Sequence, residues 1–117
     1  MIMSGACIKM IRNKQTTIQH ISNIIKNDIN AELVSESLRT SDSMNVILLT
    51  FEKYYFRNGS YASLSVMLTE SSDFQTADII GSGGGEGLFN FSLGANSNFA
   101  EITANILEQN GFKRDDN

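Results

Sequence analysis

Few residues in this sequence carry the side chains needed for nucleophilic or metal chemistry. The chain has one cysteine, Cys7, and one histidine, His20, so a thiolate–imidazole pair could form only between these two. A lone cysteine in an apolar strand usually packs as a small hydrophobic residue, and one cysteine with one histidine cannot supply the usual zinc ligands. The sequence therefore predicts no metal, no cofactor and no catalytic residue, and it favours a protein without enzymatic activity.

Carboxylates offer a second kind of chemistry, because paired acids can bind hard cations or transfer protons. Glu70, Asp73, Asp78 and Glu86 all fall near the ends of predicted strands. Acidic side chains at such positions are normally solvated, so we interpret them as surface charges.

The segment Gly81-Ser-Gly-Gly-Gly-Glu-Gly87 suggests a third kind of site, since glycine-rich turns can bring backbone amides close to a phosphate. Known phosphate loops join a strand to a helix and carry a third glycine or a Lys-Ser/Thr pair. Here Glu86 stands three residues after Gly83, no lysine follows and the next predicted element is a strand. We interpret the segment as a flexible hairpin loop, with a movable rim or a backbone anion site as the alternatives.

The dipeptide Asn58-Gly59 predicts the β-hairpin that positions the remaining candidates. It separates two runs rich in β-branched and aromatic residues within residues 44–70, and Asn-Gly is the strongest short-range hairpin signal. Placing Arg57 opposite Ser60 fixes the register. The predicted pairs on one face are Tyr55 with Ala62, Lys53 with Leu64, Phe51 with Val66 and Leu49 with Leu68.

Lys53 and Tyr55 are the polar residues on this otherwise apolar face. A buried ammonium group without a partner is costly, and one explanation is that the lysine stem covers Leu64 while the charge reaches water. The alternative places Lys53 and Tyr55, together with Asn110, around a small-ligand pocket between the sheet and the C-terminal helix.

The opposite face of the hairpin carries apolar side chains where charges would be usual. They are Leu48, Tyr54, Phe56, Tyr61 and Met67. Exposed apolar patches mark interaction surfaces. Aromatic residues on a sheet can also stack nucleic-acid bases, but the neighbouring Glu52 and the net charge of -4 oppose this. We therefore expect self-association, as a homodimer, through this face or through an exposed strand edge.

Two segments have the apolar periodicity of amphipathic helices. Residues 16–28 carry an isoleucine stripe and place His20 on the surface. In the second segment, Asn98 and Glu101 resemble a capping box, and Gly111 stands where a helix-ending residue with positive φ is wanted. The predicted buried stripe of this helix is Phe99, Ile102, Thr103, Ile106 and Leu107.

Alternating or β-branched segments predict strands at 4–11, 31–40, 76–82 and 88–93, in addition to the two hairpin strands. The order is β-α-β-β-β-β-β-α, with links between strands short enough for antiparallel turns. We therefore predict an α+β fold in which two helices cover one face of an antiparallel sheet of about six strands. Comparable orders occur in helix-grip and TATA-binding-protein-like architectures.

The 117 residues suit one domain, which we place at 1–112 and follow with a disordered polar tail at 113–117. Basic residues cluster only at Lys9, Arg12 and Lys14, and the chain is acidic overall, so we expect no nucleic-acid partner. No apolar stretch is long enough to span a bilayer and no signal sequence is recognisable. We therefore expect a cytoplasmic protein without a membrane partner.

Taken together, the hairpin, the glycine segment, the strand Leu88-Phe89-Asn90-Phe91 and the final helix resemble a family of small bacterial proteins of unknown function. The likeness extends from about Met44 onward. It implies a single α+β domain and assigns no functional residue. The function we predict is a self-associating interaction module without catalytic activity. The alternative is a small-ligand-binding protein with the pocket described above.

Overall fold

The first six elements of the chain occur in the predicted order in the computed structural model, which describes residues 5–55, 59–83 and 95–115. In chain order the elements are β1 (Gly5–Asn13), α1 (Ile18–Asp28), β2 (Glu32–Thr40), β3 (Asn45–Tyr55), β4 (Ser60–Glu70), β5 (Phe74–Gly83), α2 (Ala95–Gln109) and β6 (Lys113–Arg114). The fold is α+β, with one antiparallel sheet and two helices. Neither helix is long and apolar enough to cross a membrane.

The sheet has the strand order β2-β3-β4-β5-β1-β6, and every pairing is antiparallel. The strands from β2 to β5 follow the chain as a meander, whereas β1 is inserted between β5 and β6. Helix α1 packs on β3 and β4, and α2 packs on β4, β5 and β1. The strand β2 therefore lies at the margin of the helical layer, and nearly all of its residues are exposed.

One face of the sheet forms the core with the two helices. We call it the inner face, and the opposite face the outer face. Strand residues alternate between the two faces, so every second residue of each central strand lies on the inner face. The large buried side chains are Met10, Ile21, Ile25, Ile47, Leu49, Phe51, Leu64, Val66, Leu68, Ile79, Phe99, Leu107 and Phe112.

The predicted hairpin pairs are wrong by two residues. Phe51 faces Leu64 rather than Val66, and Tyr55 faces Ser60. The connection therefore takes four residues, 56–59, of which 56–58 lie outside the described part. Gly59 has the positive φ of 62° that the sequence predicts. Because the shift is an even number of residues, every side chain keeps its predicted face, and Phe51 and Val66 are both buried on the inner face.

The ends of the helices follow the sequence prediction to within two residues, with one exception. Thr17 caps α1 by accepting a hydrogen bond from the amide of His20. Gly111, at φ 93°, ends α2 in a Schellman motif, because the amides of Gly111 and Phe112 bond back to the carbonyls of Glu108 and Leu107. The exception is the N-terminus of α2, which begins at Ala95, so the predicted capping position lies inside the helix.

The buried stripe of α2 also differs from the prediction at one residue. Ile102 is 46% exposed, while Ala100 and Ala104 are fully buried beside the predicted Phe99 and Leu107. Ala100 and Ala104 thus lie on the side of the helix that packs on the sheet, and Ile102 lies on the side that faces solvent.

Three predictions concern the segments before and after α2. Strand β5 continues through Gly83, so the start of the glycine segment belongs to the sheet. The rest of that segment and the strand predicted at 88–93 lie outside the described residues. In the segment predicted to be a disordered tail, Lys113–Arg114 form the short strand β6 against β1, and Arg114 pairs with Glu101 on α2.

Candidate functional site

Three buried polar side chains meet where β1 and β4 end and β5 begins, side by side in the sheet. In the sheet register Arg12 lies opposite Gln75, and Gln75 lies opposite Glu70. Arg12 Nε donates to Gln75 Oε1 at 2.6 Å, and Gln75 Nε2 donates to Glu70 Oε1 at 2.9 Å. Arg12 and Glu70 are each only 5% exposed. We call this chain of hydrogen bonds the Arg12–Gln75–Glu70 network.

The network joins the sheet to one end of each helix. Glu70 Oε1 accepts from the backbone amide of Ile18 at 2.9 Å, at the first residue of α1. Arg12 Nη1 donates to the carbonyl oxygen of Asn110 at 2.7 Å, just beyond the last turn of α2. Helix dipoles favour an anion at the N-terminus and a cation at the C-terminus. Each buried charge is thus explained as the cap of a helix.

Both charged groups of the network are held in their ionised forms. Burial raises the pKa of Glu70, but hydrogen bonds from Gln75 and the Ile18 amide, with the nearby charge of Lys14, outweigh it, so the pKa lies below its usual value. Burial lowers the pKa of Arg12 below its usual value, and the charge of Glu70 offsets part of this lowering. A general acid or base works best with a pKa near the working pH. A depressed carboxyl pKa and a saturated hydrogen-bond set fit a structural role for the network instead.

This network was not predicted from the sequence. We interpreted Glu70 as a surface charge and placed Arg12 only in a small basic cluster, whereas both side chains are buried. The sequence did contain a weak indication of burial. Each charged residue lies on the same face of its strand as the apolar residues that form the core. The face of Glu70 followed from the hairpin, but the face of Arg12 could not be assigned without the position of β1 in the sheet.

Two open depressions lie at the same end of the molecule. One has a volume of about 460 Å³ and the other about 270 Å³. The first is lined by Ile11, Arg12, Asn13, Gln15, Phe74, Gly111 and Lys113. The second is lined by Lys14, Ser41, Asp42, Ser43, Met44, Asn45, Glu70, Ser71 and Ser72.

The residues proposed for the small-ligand pocket are not brought together. Asn110 lies at the network end, where its side chain donates to the carbonyl of Ile106 at 2.8 Å. Lys53 is paired with Ala62, eight residues along β3 from Asn45 at the network end, which is roughly 26 Å at 3.3 Å per residue. The side chain of Tyr55 lies outside the described part. Lys53 and Asn110 therefore occupy opposite ends of the sheet.

Four of the five predicted interface residues lie exposed on the outer face. Leu48 is directly opposite Met67, and Tyr54 is directly opposite Tyr61, with ring centroids 4.9 Å apart. Phe56 lies outside the described residues. The two apolar pairs are separated by two rows of polar residues, about 20 Å along the strands. On β3 and β4 they form two small apolar areas, and the exposed Ile80 of β5 lies beside Ser65 in one of the rows between them.

The edge strand β2 is a second exposed surface, which we call the β2 edge. One side of β2 is hydrogen-bonded to β3, and no other described strand pairs with it. Its apolar residues Leu33, Val34 and Leu38 are 39%, 53% and 48% exposed. Leu33 and Leu38 lie opposite Phe51 and Ile47, so they continue the inner face beyond the region that the helices cover.

The remaining candidates for chemistry lie apart. Cys7 is exposed on the outer face of β1, opposite Ile80, whereas His20 is on α1, which packs on the inner face. The sheet separates these two side chains. Within residues 5–55, 59–83 and 95–115 no group of three or more potential ligands is placed to hold a metal ion.

Comparison with known proteins agrees with the resemblance inferred from the hairpin and the final helix. Residues 3–111 match a family described as a family of unknown function (DUF6054). No curated protein and no solved structure gives a significant match. Since the match covers nearly the whole chain, the protein belongs to the DUF6054 family of unknown function.

Proposed function

We propose that the protein is a cytoplasmic, self-associating interaction module without catalytic activity, and that it acts as a homodimer. The observation that carries this proposal is the β2 edge. It presents nine residues of extended backbone with one row of amide and carbonyl groups that β3 does not use. Monomeric proteins protect such an edge by shortening it, by covering it, or with bulges and charged side chains. Strand β2 has a bulge and charged residues, but it is long and no described strand covers its edge.

The apolar side chains of β2 support the same proposal. A solvated edge strand of a monomer commonly carries lysine or proline, whereas β2 carries Leu33, Val34 and Leu38, all exposed. Their cost in water is recovered if a second strand adds to the edge, because the leucines then extend the inner-face core across the boundary. The outer face, with its two separated apolar pairs, offers less continuous area.

The small-ligand alternative has less support. It needs Lys53 and Asn110 at one cavity, and they lie at opposite ends of the sheet. The two depressions at the network end are open, and the charged side chains that border them are engaged in the network or exposed.

The test of self-association is the molar mass measured by light scattering over a micromolar concentration series. We expect the wild-type chain to approach a dimer. Leu38→Lys, which places a charge on the β2 edge, should give a monomer, whereas Tyr54→Glu, which places a charge on the outer face, should leave the dimer intact. A wild-type chain that stays monomeric at high micromolar concentration would overturn the proposal. The reverse response of the two variants would move the interface to the outer face.

A further inference from the structure

We infer that β2 pairs with β2 of a second copy in an antiparallel register centred on Glu36, which joins the two sheets into one. This inference rests on the proposed self-association and specifies its geometry. The twofold axis is perpendicular to the sheet, because that operation reverses the strand direction while it keeps the inner and outer faces.

Directly opposed residues in an antiparallel pair must lie on the same face, and a bulge in β2 determines which residues can meet. The register with β3 shifts between Leu33 and Ser35. Consequently Glu32 and Arg39 both lie on the outer face, although seven residues separate them, and Leu33 and Leu38 both lie on the inner face.

Centring the axis on Glu36 matches these residues by type. Leu33 then meets the partner's Leu38, Glu32 meets the partner's Arg39, and the symmetry produces each pair twice. Moving the axis by one position, to Ser37, would place Glu36 opposite a leucine and Leu33 opposite a threonine. Only the register centred on Glu36 gives both apolar and opposite-charge pairs.

The outer-face charges of the single chain are poorly matched without a partner. Glu32 lies directly opposite Glu52 on β3, and like charges in that position repel. Arg39 makes no ion pair with any described residue, and its guanidinium donates to the carbonyl of Leu38 at 3.2 Å. In the proposed register the partner's Arg39 lies beside Glu32 and relieves this repulsion.

The centre of the interface brings Glu36 to the partner's Glu36, and Lys26 compensates this contact. The Nζ of Lys26 on α1 lies 3.1 and 3.0 Å from the two carboxylate oxygens of Glu36. The twofold axis would therefore assemble two ammonium groups and two carboxylates into a neutral cluster. The ion pair between Lys26 on α1 and Glu36 on β2 thus allows the two Glu36 carboxylates to approach each other.

Disulfide trapping tests the register. In a Cys7→Ser background, Glu36→Cys should cross-link to itself, and a mixture of Ser35→Cys and Ser37→Cys chains should cross-link as a heterodimer. Each of the latter two alone should react several-fold more slowly, because its copies lie on a diagonal, about 7–8 Å apart, instead of directly opposite. Efficient self-linking of Ser37→Cys with none at Glu36→Cys would overturn the register.

Charge reversal provides a test that leaves the native side chains at the centre unchanged. Glu32→Arg or Arg39→Glu alone should weaken dimerisation about tenfold by sedimentation equilibrium, since each replaces two attractive pairs with two repulsive ones. The double variant should recover affinity to within about threefold of wild type. Glu101→Arg, a matched reversal on α2, should have no effect on dimerisation.

The outcomes separate this inference from the function on which it rests. A dimer whose affinity is not restored by the double reversal, and which does not cross-link through Glu36→Cys, refutes the β2 register while self-association stands. A wild-type chain that is monomeric throughout overturns both.

Discussion

Replacing Arg12 with methionine should show whether the Arg12–Gln75–Glu70 network holds the helices on the sheet. Methionine keeps much of the apolar stem and removes the guanidinium. Three acceptors then lose their donor: Gln75 Oε1 at 2.6 Å, the Asn110 carbonyl at 2.7 Å and Thr16 Oγ1 at 2.9 Å. The ring of Phe112, 4.9 Å from the guanidinium carbon, loses its cation–π contact as well.

The expected loss of unfolding free energy follows from the hydrogen bonds that each group loses. A buried acceptor left without a donor costs about 1–3 kcal/mol, and breaking a buried charged network typically costs about 3–5 kcal/mol. Two effects reduce the sum, because Arg12 lines an open depression that can admit water and removing the guanidinium returns its own cost of burial. We therefore expect a loss near the lower end, about 3 kcal/mol, from a total of about 5–15 kcal/mol for a domain.

Urea unfolding followed by far-ultraviolet circular dichroism measures this loss. A change of about 3 kcal/mol should lower the midpoint by roughly 2 M, for a slope of about 1.5 kcal/mol per molar. Arg114→Met is the matched control, since Arg114 pairs with Glu101 and Glu108 on the surface and exposed pairs contribute about 1 kcal/mol or less. If Arg12→Met costs no more than Arg114→Met, the network does not fasten the helices and our account of it is wrong.

Three further predictions concern single sites. Because the pKa of Glu70 is depressed in the folded state, its stabilising effect is complete above the unfolded pKa of about 4.5 and is lost as the pH falls through the lower folded pKa. The unfolding free energies of wild type and Glu70→Gln should therefore converge in acid. A difference that stays constant with pH would contradict this. Gly111→Ala should cost about 1–2 kcal/mol in urea unfolding because of its φ of 93°, and the loss should persist in a Gln15→Ala background, which removes the side chain that lies 3.2 Å from the added Cβ. Ser22→Ala should leave stability unchanged or raise it by about 1 kcal/mol, since the buried hydroxyl has no hydrogen-bond partner among the described residues; a clear loss would indicate a partner that the fold does not explain.

The parts of the fold that depend on local periodicity could be predicted from the sequence. The isoleucine stripe of α1 and the alternation of β3 and β4 assign each side chain to a face. That assignment is enough to predict which of these side chains are buried. Gly111 was predictable for the same reason, because a positive φ at a helix end is a local demand on one residue.

The hairpin register could not be predicted as securely, since it depends on the length of the connection. Asn58-Gly59 can form a two-residue turn or the end of a longer loop. The strand pairings that result from these two connections differ by an even number of residues. Face assignment cannot distinguish them. The alternation of Phe51 and Leu64 with polar neighbours is equally consistent with either pairing.

The network and the β2 edge required knowledge of long-range topology. Arg12 and Gln75 are 63 residues apart in sequence, and only the insertion of β1 beside β5 makes them neighbours. The exposure of Leu38 likewise depends on how far the helices extend across the sheet. Sequence periodicity marks an apolar strand but does not reveal that it lies beyond the helical layer.

The insertion of β1 between β5 and β6 also determines when the fold can be completed during synthesis. About 60 residues separate the end of β1 from the start of β5, so a ribosome adding about 5–20 residues per second needs roughly 3–12 s before the first strand can meet its partner. During that interval β2, β3 and β4 can pair in sequence while β1 waits unpaired. The first strand made is thus among the last to be placed, and Arg12 can reach the carbonyl of Asn110 only after α2 has been made as well.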